Sequence, residues 1–275
     1  MRRSILLAGA TAATAALVGC GGGETATSGS ASIDLSHIHG LAIDPADDSR
    51  VLIATHTGLV AYRDDALSKV GDASTDLMGF STGPDGQLLA SGHPGPDEDG
   101  PAVLGVIVST DGGRAWNPLA LSGEADFHAL DAWPGGMVGF DGSIRISTDG
   151  GTSWSQGATD VAAFDLAATG SAIVATTEEG PRVSTDGGLS FAAASPAPLL
   201  QLVDFTPEGR LIGVAPSGEV HASDDLAGWE RVGSIFDGQL QALTTGGNGS
   251  VWVATTAGLQ HSTDGGASFV TAVSW

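Results

Sequence analysis

The sequence predicts an all-β fold, a six-bladed β-propeller of four-stranded antiparallel blades with Asp-box turns. Three observations carry that expectation. An octad recurs along the chain as Ser109–Trp116 (STDGGRAW), Ser147–Trp154 (STDGGTSW), Ser184–Phe191 (STDGGLSF) and Ser262–Phe269 (STDGGASF), with a shortened copy at Ser223–Trp229 (SDDLAGW). The copies start 38, 37, 39 and 39 residues apart, a period typical of propellers and longer than that of most β-solenoids. Within each period, short apolar runs alternate with turns rich in Gly, Asn and Asp, and no long amphipathic helix pattern interrupts them. Small four-stranded sheets repeated radially protect their edges by packing blade on blade.

The last period shows the plan of a blade, with strands at Leu240–Thr244, Gly249–Thr255, Gly258–Ser262 and Phe269–Ser274. The same plan fits 37–72, 76–121, 125–158, 160–195, 198–235 and 238–275, which makes six units. The first has lost its box, since Gly58–Asp65 (GLVAYRDD) aligns with Gly258–Gly265 (GLQHSTDG). Two ways of closing the ring stay open: the last blade keeps its own fourth strand, Phe269–Trp275, or borrows Ser32–Leu35. The boxes have a structural explanation. Asp111, Asp149, Asp186 and Asp264 are placed to accept backbone N–H groups inside the third turn of each blade. The glycines after them tolerate positive φ, and the terminal aromatic packs inward.

The start of the chain reads as an export signal. Met1-Arg2-Arg3 is positive, Ile5–Val18 is apolar, and Leu17-Val18-Gly19-Cys20 ends the run. Small residues before a single cysteine resemble a bacterial lipobox. That resemblance implies cleavage before Cys20 and a lipid on it, so the chain divides into a signal peptide at 1–19, a flexible Gly/Ser/Thr tether at 20–32 and the propeller at 33–275. The expected location is the cell envelope, with the membrane as a partner through the lipid on Cys20. Cys20 is the sole cysteine, which excludes disulfides and cysteine metal sites. Removing 1–19 leaves 8 basic and 32 acidic residues, a formal charge of −24. A body so acidic excludes nucleic acid as a partner and favours cations.

The box register also locates the candidate site. In a propeller the innermost strand starts at one face, here the top, the second strand returns to it, and the box turns lie at the bottom. First strands then open with His37-Ile-His39, Asp76-Leu-Met78 and Asp126-Phe-His128, while second strands end at His56, His93 and Asp141. Alternation along a strand puts His37 with His39, Asp76 with Met78 and Asp126 with His128. Five of the seven histidines therefore fall on the top rim of the first three blades. His39, His56, His93, His128 and Met78 are the candidate metal ligands, with His37, Asp76 and Asp126 as a second shell. Imidazole with thioether favours copper, and imidazole with carboxylate also suits zinc. A small polar ligand is the other expected occupant. The Gly92–Pro101 insertion (GHPGPDEDGP) is a solvated loop or a lid over this mouth.

The boxed repeats resemble the BNR/Asp-box proteins, whose best-known members are sialidases. Lipobox, His37-Ile-His-Gly-Leu-Ala42 and boxes together are similar to bacterial lipoproteins described as sialidase-like glycosyl hydrolases. The resemblance implies a propeller with its boxes away from the ligand site. Sialidases resemble one another in an arginine triad, a tyrosine nucleophile helped by a glutamate, and an aspartate acid/base. Here the sole tyrosine, Tyr62, aligns with a box serine at the wrong end of its blade, and only Arg182 approaches the top rim. A hydrolase would have to draw its pair of carboxylates from Asp76, Asp126, Asp141 and Glu178. The first functional reading is a metal- or ligand-binding propeller. The alternatives are a glycoside hydrolase with a non-standard catalytic set and a scaffold for an envelope protein partner.

Overall fold

Six four-stranded sheets follow one another in chain order. The computed structural model describes residues 33–194, 196–235 and 237–275. The expected signal peptide, Cys20 and the expected tether lie outside the described residues. Blade 1 holds β1 (Ile38–Asp44), β2 (Asp47–Thr55), β3 (Gly58–Arg63) and β4 (Ala66–Val70). Blade 2 holds β5 (Asp76–Thr82), β6 (Leu88–His93), β7 (Val106–Ser109) and β8 (Asn117–Ala120). Blade 3 holds β9 (Ala129–Trp133), β10 (Gly136–Phe140), β11 (Ile144–Ser147) and β12 (Ser155–Gln156). Blade 4 holds β13 (Leu166–Ala168), β14 (Ile173–Ala175), β15 (Arg182–Ser184) and β16 (Ala192–Ala193). Blade 5 holds β17 (Leu202–Phe205), β18 (Leu211–Val214), β19 (Glu219–Ser223) and β20 (Glu230–Ser234). Blade 6 holds β21 (Leu240–Thr245), β22 (Val251–Thr255), β23 (Gly258–Ser262) and β24 (Val270–Ser274).

The innermost strands touch in the circular order β1, β5, β9, β13, β17, β21 and back to β1. This is the expected six-bladed β-propeller, closed blade to blade. Blade 6 closes with its own fourth strand, because β24 pairs with β23. Ile33 and Leu35 pack beside that sheet, against a cluster that includes Ala272, Val273 and Trp275. The core lies between the sheets. Val51, Ile53 and Tyr62 of blade 1 meet Trp252, Ala254 and Leu259 of blade 6. Tyr62 is part of this packing: its ring meets Trp252 edge to face at 5.8 Å, and its hydroxyl lies 3.0 Å from Asp65 Oδ1.

The box turns form as the sequence implies. Ser184 Oγ donates to Asp186 Oδ1 at 2.8 Å and accepts Gly188 N–H at 2.8 Å. Asp186 in turn accepts Ser190 N–H at 3.0 Å and Ser190 Oγ–H at 2.6 Å. Ser147/Asp149/Gly151 and Ser262/Asp264/Gly266 repeat this, and Ser109/Asp111/Gly113 follows with backbone donors from Arg114 and Ala115. Hydrogen bonds from the following serine, then from backbone, hold Asp149, Asp186 and Asp264 down at about 2. The inner strands of blades 3 to 5 start later than the sequence pattern implies, at Ala129, Leu166 and Leu202. In blade 3 the reason is visible: Phe127 N–H turns away to Ser91 Oγ of blade 2, at 2.9 Å.

Candidate functional site

The rim is assembled from three strand starts and two strand ends. His39 occupies a bulge in β1, where the pairing jumps from Ile38↔Thr55 to Gly40↔Ala54, and a bulge re-aims the extra side chain. His56 follows the last residue of β2. Asp76 opens β5 directly opposite His93, the last residue of β6. Asp126 and His128 precede β9, and the Ser91–Phe127 bond ties their segment to blade 2. Close backbone approach draws the three blades together. A Cβ on Gly40 would stand 2.8 Å from Phe80 Cβ, and one on Gly79 would stand 2.5 Å from Phe127 O.

Three donor atoms converge there. His39 Nε2 lies 3.2 Å from His56 Nδ1. Asp76 Oδ1 lies 2.9 Å from His56 Nδ1 and 3.6 Å from His39 Nε2. Among the described residues, this is the group of three or more His, Cys, Asp or Glu side chains with its donor atoms within 4.8 Å of one another. Asp76, expected in a second shell, thus stands among the nearest donors. Its Oδ1 is buried and receives no hydrogen bond, so the short approach of His56 is not along an N–H axis. His39 is held well below the usual imidazole range, at about 4, first by burial and then by the neighbouring His56. At neutral pH its ring is uncharged and offers a lone pair.

The rest of the predicted set divides. His93 sits between two carboxylates, with Nδ1 3.6 Å from Asp76 Oδ2 and Nε2 3.5 Å from Asp126 Oδ2. His128 Nε2 lies 3.8 Å from Asp126 Oδ2. His37 is exposed, its ring 5.1 Å from that of His56. Met78 is half-buried on β5, two residues along from Asp76. Asp141 is engaged elsewhere, in an ion pair with Arg145 at 2.8 Å. Glu178 is exposed on a separate groove of about 400 Å³, with Phe140, Phe164, Glu179 and Arg182. The Arg182 guanidinium is tied to Asp160 O and Phe191 O at 2.8 and 2.9 Å. His221 and His261 lie apart from the rim, the latter stacked on Trp252 at 3.7 Å.

Two features escape the sequence reading. The Gly92–Pro101 insertion is pinned rather than free. The Glu98 carboxylate accepts Ser74 N–H at 2.7 Å, Thr75 Oγ–H at 2.8 Å and Gly95 N–H at 2.9 Å. It therefore braces both His93 and the approach to Asp76. The second feature is a line of acids around a central cavity of about 260 Å³. Asp131 accepts Ala168 N–H at 2.7 Å, Asp165 accepts Val203 N–H at 2.9 Å, and Asp204 accepts Thr245 N–H at 2.7 Å. Each carboxylate latches its blade to the next. Burial pushes all three upward, Asp165 to about 7 and Asp204 to about 6. The signal for them was present: a lone acid falls within an apolar inner strand in blades 3 and 5, and immediately before one in blade 4.

The chain is similar to known propellers in fold alone. A structure of YCF48 bound to D1 peptide superposes with a TM-score of 0.54 at 21% identity, covering 86% of this chain and 82% of that one. A gluconolactonase from Xanthomonas campestris gives a TM-score of 0.63 at 12% identity, covering 80% of this chain and 83% of that one. Virginiamycin B lyase from Staphylococcus aureus gives 0.56 at 13% identity, covering 82% and 80%. No protein-family model matches the chain, and no curated protein matches it. Neighbours so different in activity show a shared architecture and no shared chemistry.

Proposed function

We propose that this chain is a metal-binding β-propeller whose top rim takes a divalent transition metal on His39, His56 and Asp76. The observation that carries the reading is the triangle of donor atoms, with edges of 2.9, 3.2 and 3.6 Å. Tetrahedral zinc with bonds of about 2.0–2.1 Å sets its ligands about 3.3–3.4 Å apart, which these edges bracket. Two imidazoles and a carboxylate suit zinc, and leave a fourth position open to water or a small ligand. Copper would instead draw on the sulfur of Met78. A neutral His39 needs no deprotonation before it binds metal. As an exported lipoprotein anchored through Cys20, the propeller would hold this ion at the cell envelope; the Leu17-Val18-Gly19-Cys20 run supports that part.

The test is competition for zinc between a chromophoric chelator and the full chain purified without a histidine tag. His39→Ala should weaken the tightest zinc about 100-fold or more, since even outer-shell partners cost 10–100-fold. Equal affinity in wild type and variant would remove the proposal.

A further inference from the structure

We propose that a groove on blades 3 and 4 docks a protein partner, through a segment that presents an arginine or lysine beside an apolar side chain. The groove is separate from the metal triangle and does not depend on it. Phe140 ends β10, Phe164 precedes β13, and Glu178 and Glu179 follow β14. These are first-strand starts and second-strand ends, as the rim histidines are, and together they line a groove of about 400 Å³. Phe164 is 58% exposed, and Leu199 of blade 5 is 48% exposed. The Thr176 hydroxyl accepts Asp165 N–H and donates to Gln201 O, each at 3.0 Å. The segments that carry Phe164 and Leu199 therefore run side by side. Single exposed apolar residues are ordinary, whereas adjoining ones mark an interaction surface.

Charge selects the occupant. Asp160, Glu178 and Glu179 line the groove against one cation, Arg182. Arg182 is spent within the wall, on Asp160 O at 2.8 Å and Phe191 O at 2.9 Å. Among the described residues it pairs with Asp160 and with neither glutamate. The turn that carries the glutamates is fixed, since Thr177 Oγ–H donates to Gly180 O at 2.6 Å and Gly180 N–H donates to Thr177 O at 3.0 Å. Two exposed carboxylates thus stand beside an open phenyl ring. A guanidinium or ammonium meets both, the carboxylates by charge and the ring by its face. A second copy of this chain has 32 acidic residues against 10 basic ones and would meet the groove with like charge. An exposed ion pair contributes little by itself. Covering Phe164 and Leu199 supplies the affinity, and the carboxylates choose the partner.

Fluorescence anisotropy of labelled pentapeptides titrated with the full chain tests this. The probe is RLGRL, with RGGRG as the cationic control and QLGQL as the apolar one. RLGRL should bind saturably, and each control at least tenfold more weakly. Phe164→Ser and the double variant Glu178→Gln/Glu179→Gln should each weaken RLGRL tenfold or more, while His39→Ala leaves it unchanged. All three groove positions are exposed, so the variants are expected to fold, and an unchanged far-ultraviolet circular dichroism spectrum checks it. Equal binding of RGGRG and RLGRL, unaltered by Phe164→Ser, would reduce the effect to general attraction by an acidic body and overturn the site. Equal binding of QLGQL and RLGRL would overturn the selection by charge. No binding of RLGRL overturns the proposal and leaves the zinc reading standing.

Discussion

Asp165→Asn should flatten the dependence of stability on pH. Asp165 is half-buried beside the central cavity, with Oδ1 accepting Leu166 N–H and Oδ2 accepting Val203 N–H, each at 2.9 Å. Burial raises it from 3.8 to about 7 against the pull of those bonds, with the charge of Asp204 adding to the rise. Between these values the folded chain keeps a proton that the unfolded chain has released. Stability from this group is therefore greatest below pH 4, falls as pH rises to 7, and is flat above. At about 1.4 kcal/mol per unit, the fall is about 4 kcal/mol across the window. Asparagine cannot lose a proton, but it has one acceptor oxygen in place of two, so it loses one backbone bond at about 1 kcal/mol at every pH. Urea denaturation of both proteins at pH 4, 5, 6, 7 and 8 reads the difference. The variant should be the less stable at pH 4 and the more stable at pH 8. Parallel curves would refute the burial argument.

Other perturbations isolate the remaining parts of the structure. Glu98→Ala removes the acceptor for three bonds, and should cost about 2 kcal/mol of stability and weaken zinc at least tenfold, both read from one preparation by denaturation and chelator competition. Gly40→Ala drives a methyl to 2.8 Å from Phe80 Cβ, and overpacking of this kind costs about 1–3 kcal/mol, measured by the shift in urea midpoint. Ser184→Ala strips a box of the hydroxyl between Asp186 and Gly188, and should cost about 1–2 kcal/mol while leaving zinc affinity unchanged.

How much of this was legible in the sequence follows from what each feature depends on. The box is a local turn whose partners lie within four residues, as Ser184, Asp186 and Gly188 show, so its sequence declares its geometry. The box also sets the register of each blade, and register places strand ends. That is why His39, His56, His93 and Asp76 could be grouped before any coordinates. The finer order within the group was not legible. Asp76 moved in among the nearest donors because a bulge turns His39 toward it, and a bulge depends on how Gly40 meets the neighbouring blade. Asp141 dropped out because Arg145, on the next strand, captured it. The ladder of Asp131, Asp165 and Asp204 joins residues about 40 positions apart, from blade to blade. Its signal, an acid inside or at the start of an apolar strand, acquires meaning only when those strands line a common channel. The Glu98 brace is likewise a contact of an inserted loop, outside the repeat that organised everything else.

X-ray absorption on the zinc-loaded full chain tests the rim site most directly. The account predicts a shell of nitrogen and oxygen at about 2.0–2.1 Å with the outer-shell scattering of imidazole, reduced in His39→Ala and free of sulfur. A sulfur shell near 2.3 Å, or a spectrum that lacks imidazole and is untouched by His39→Ala, would contradict it.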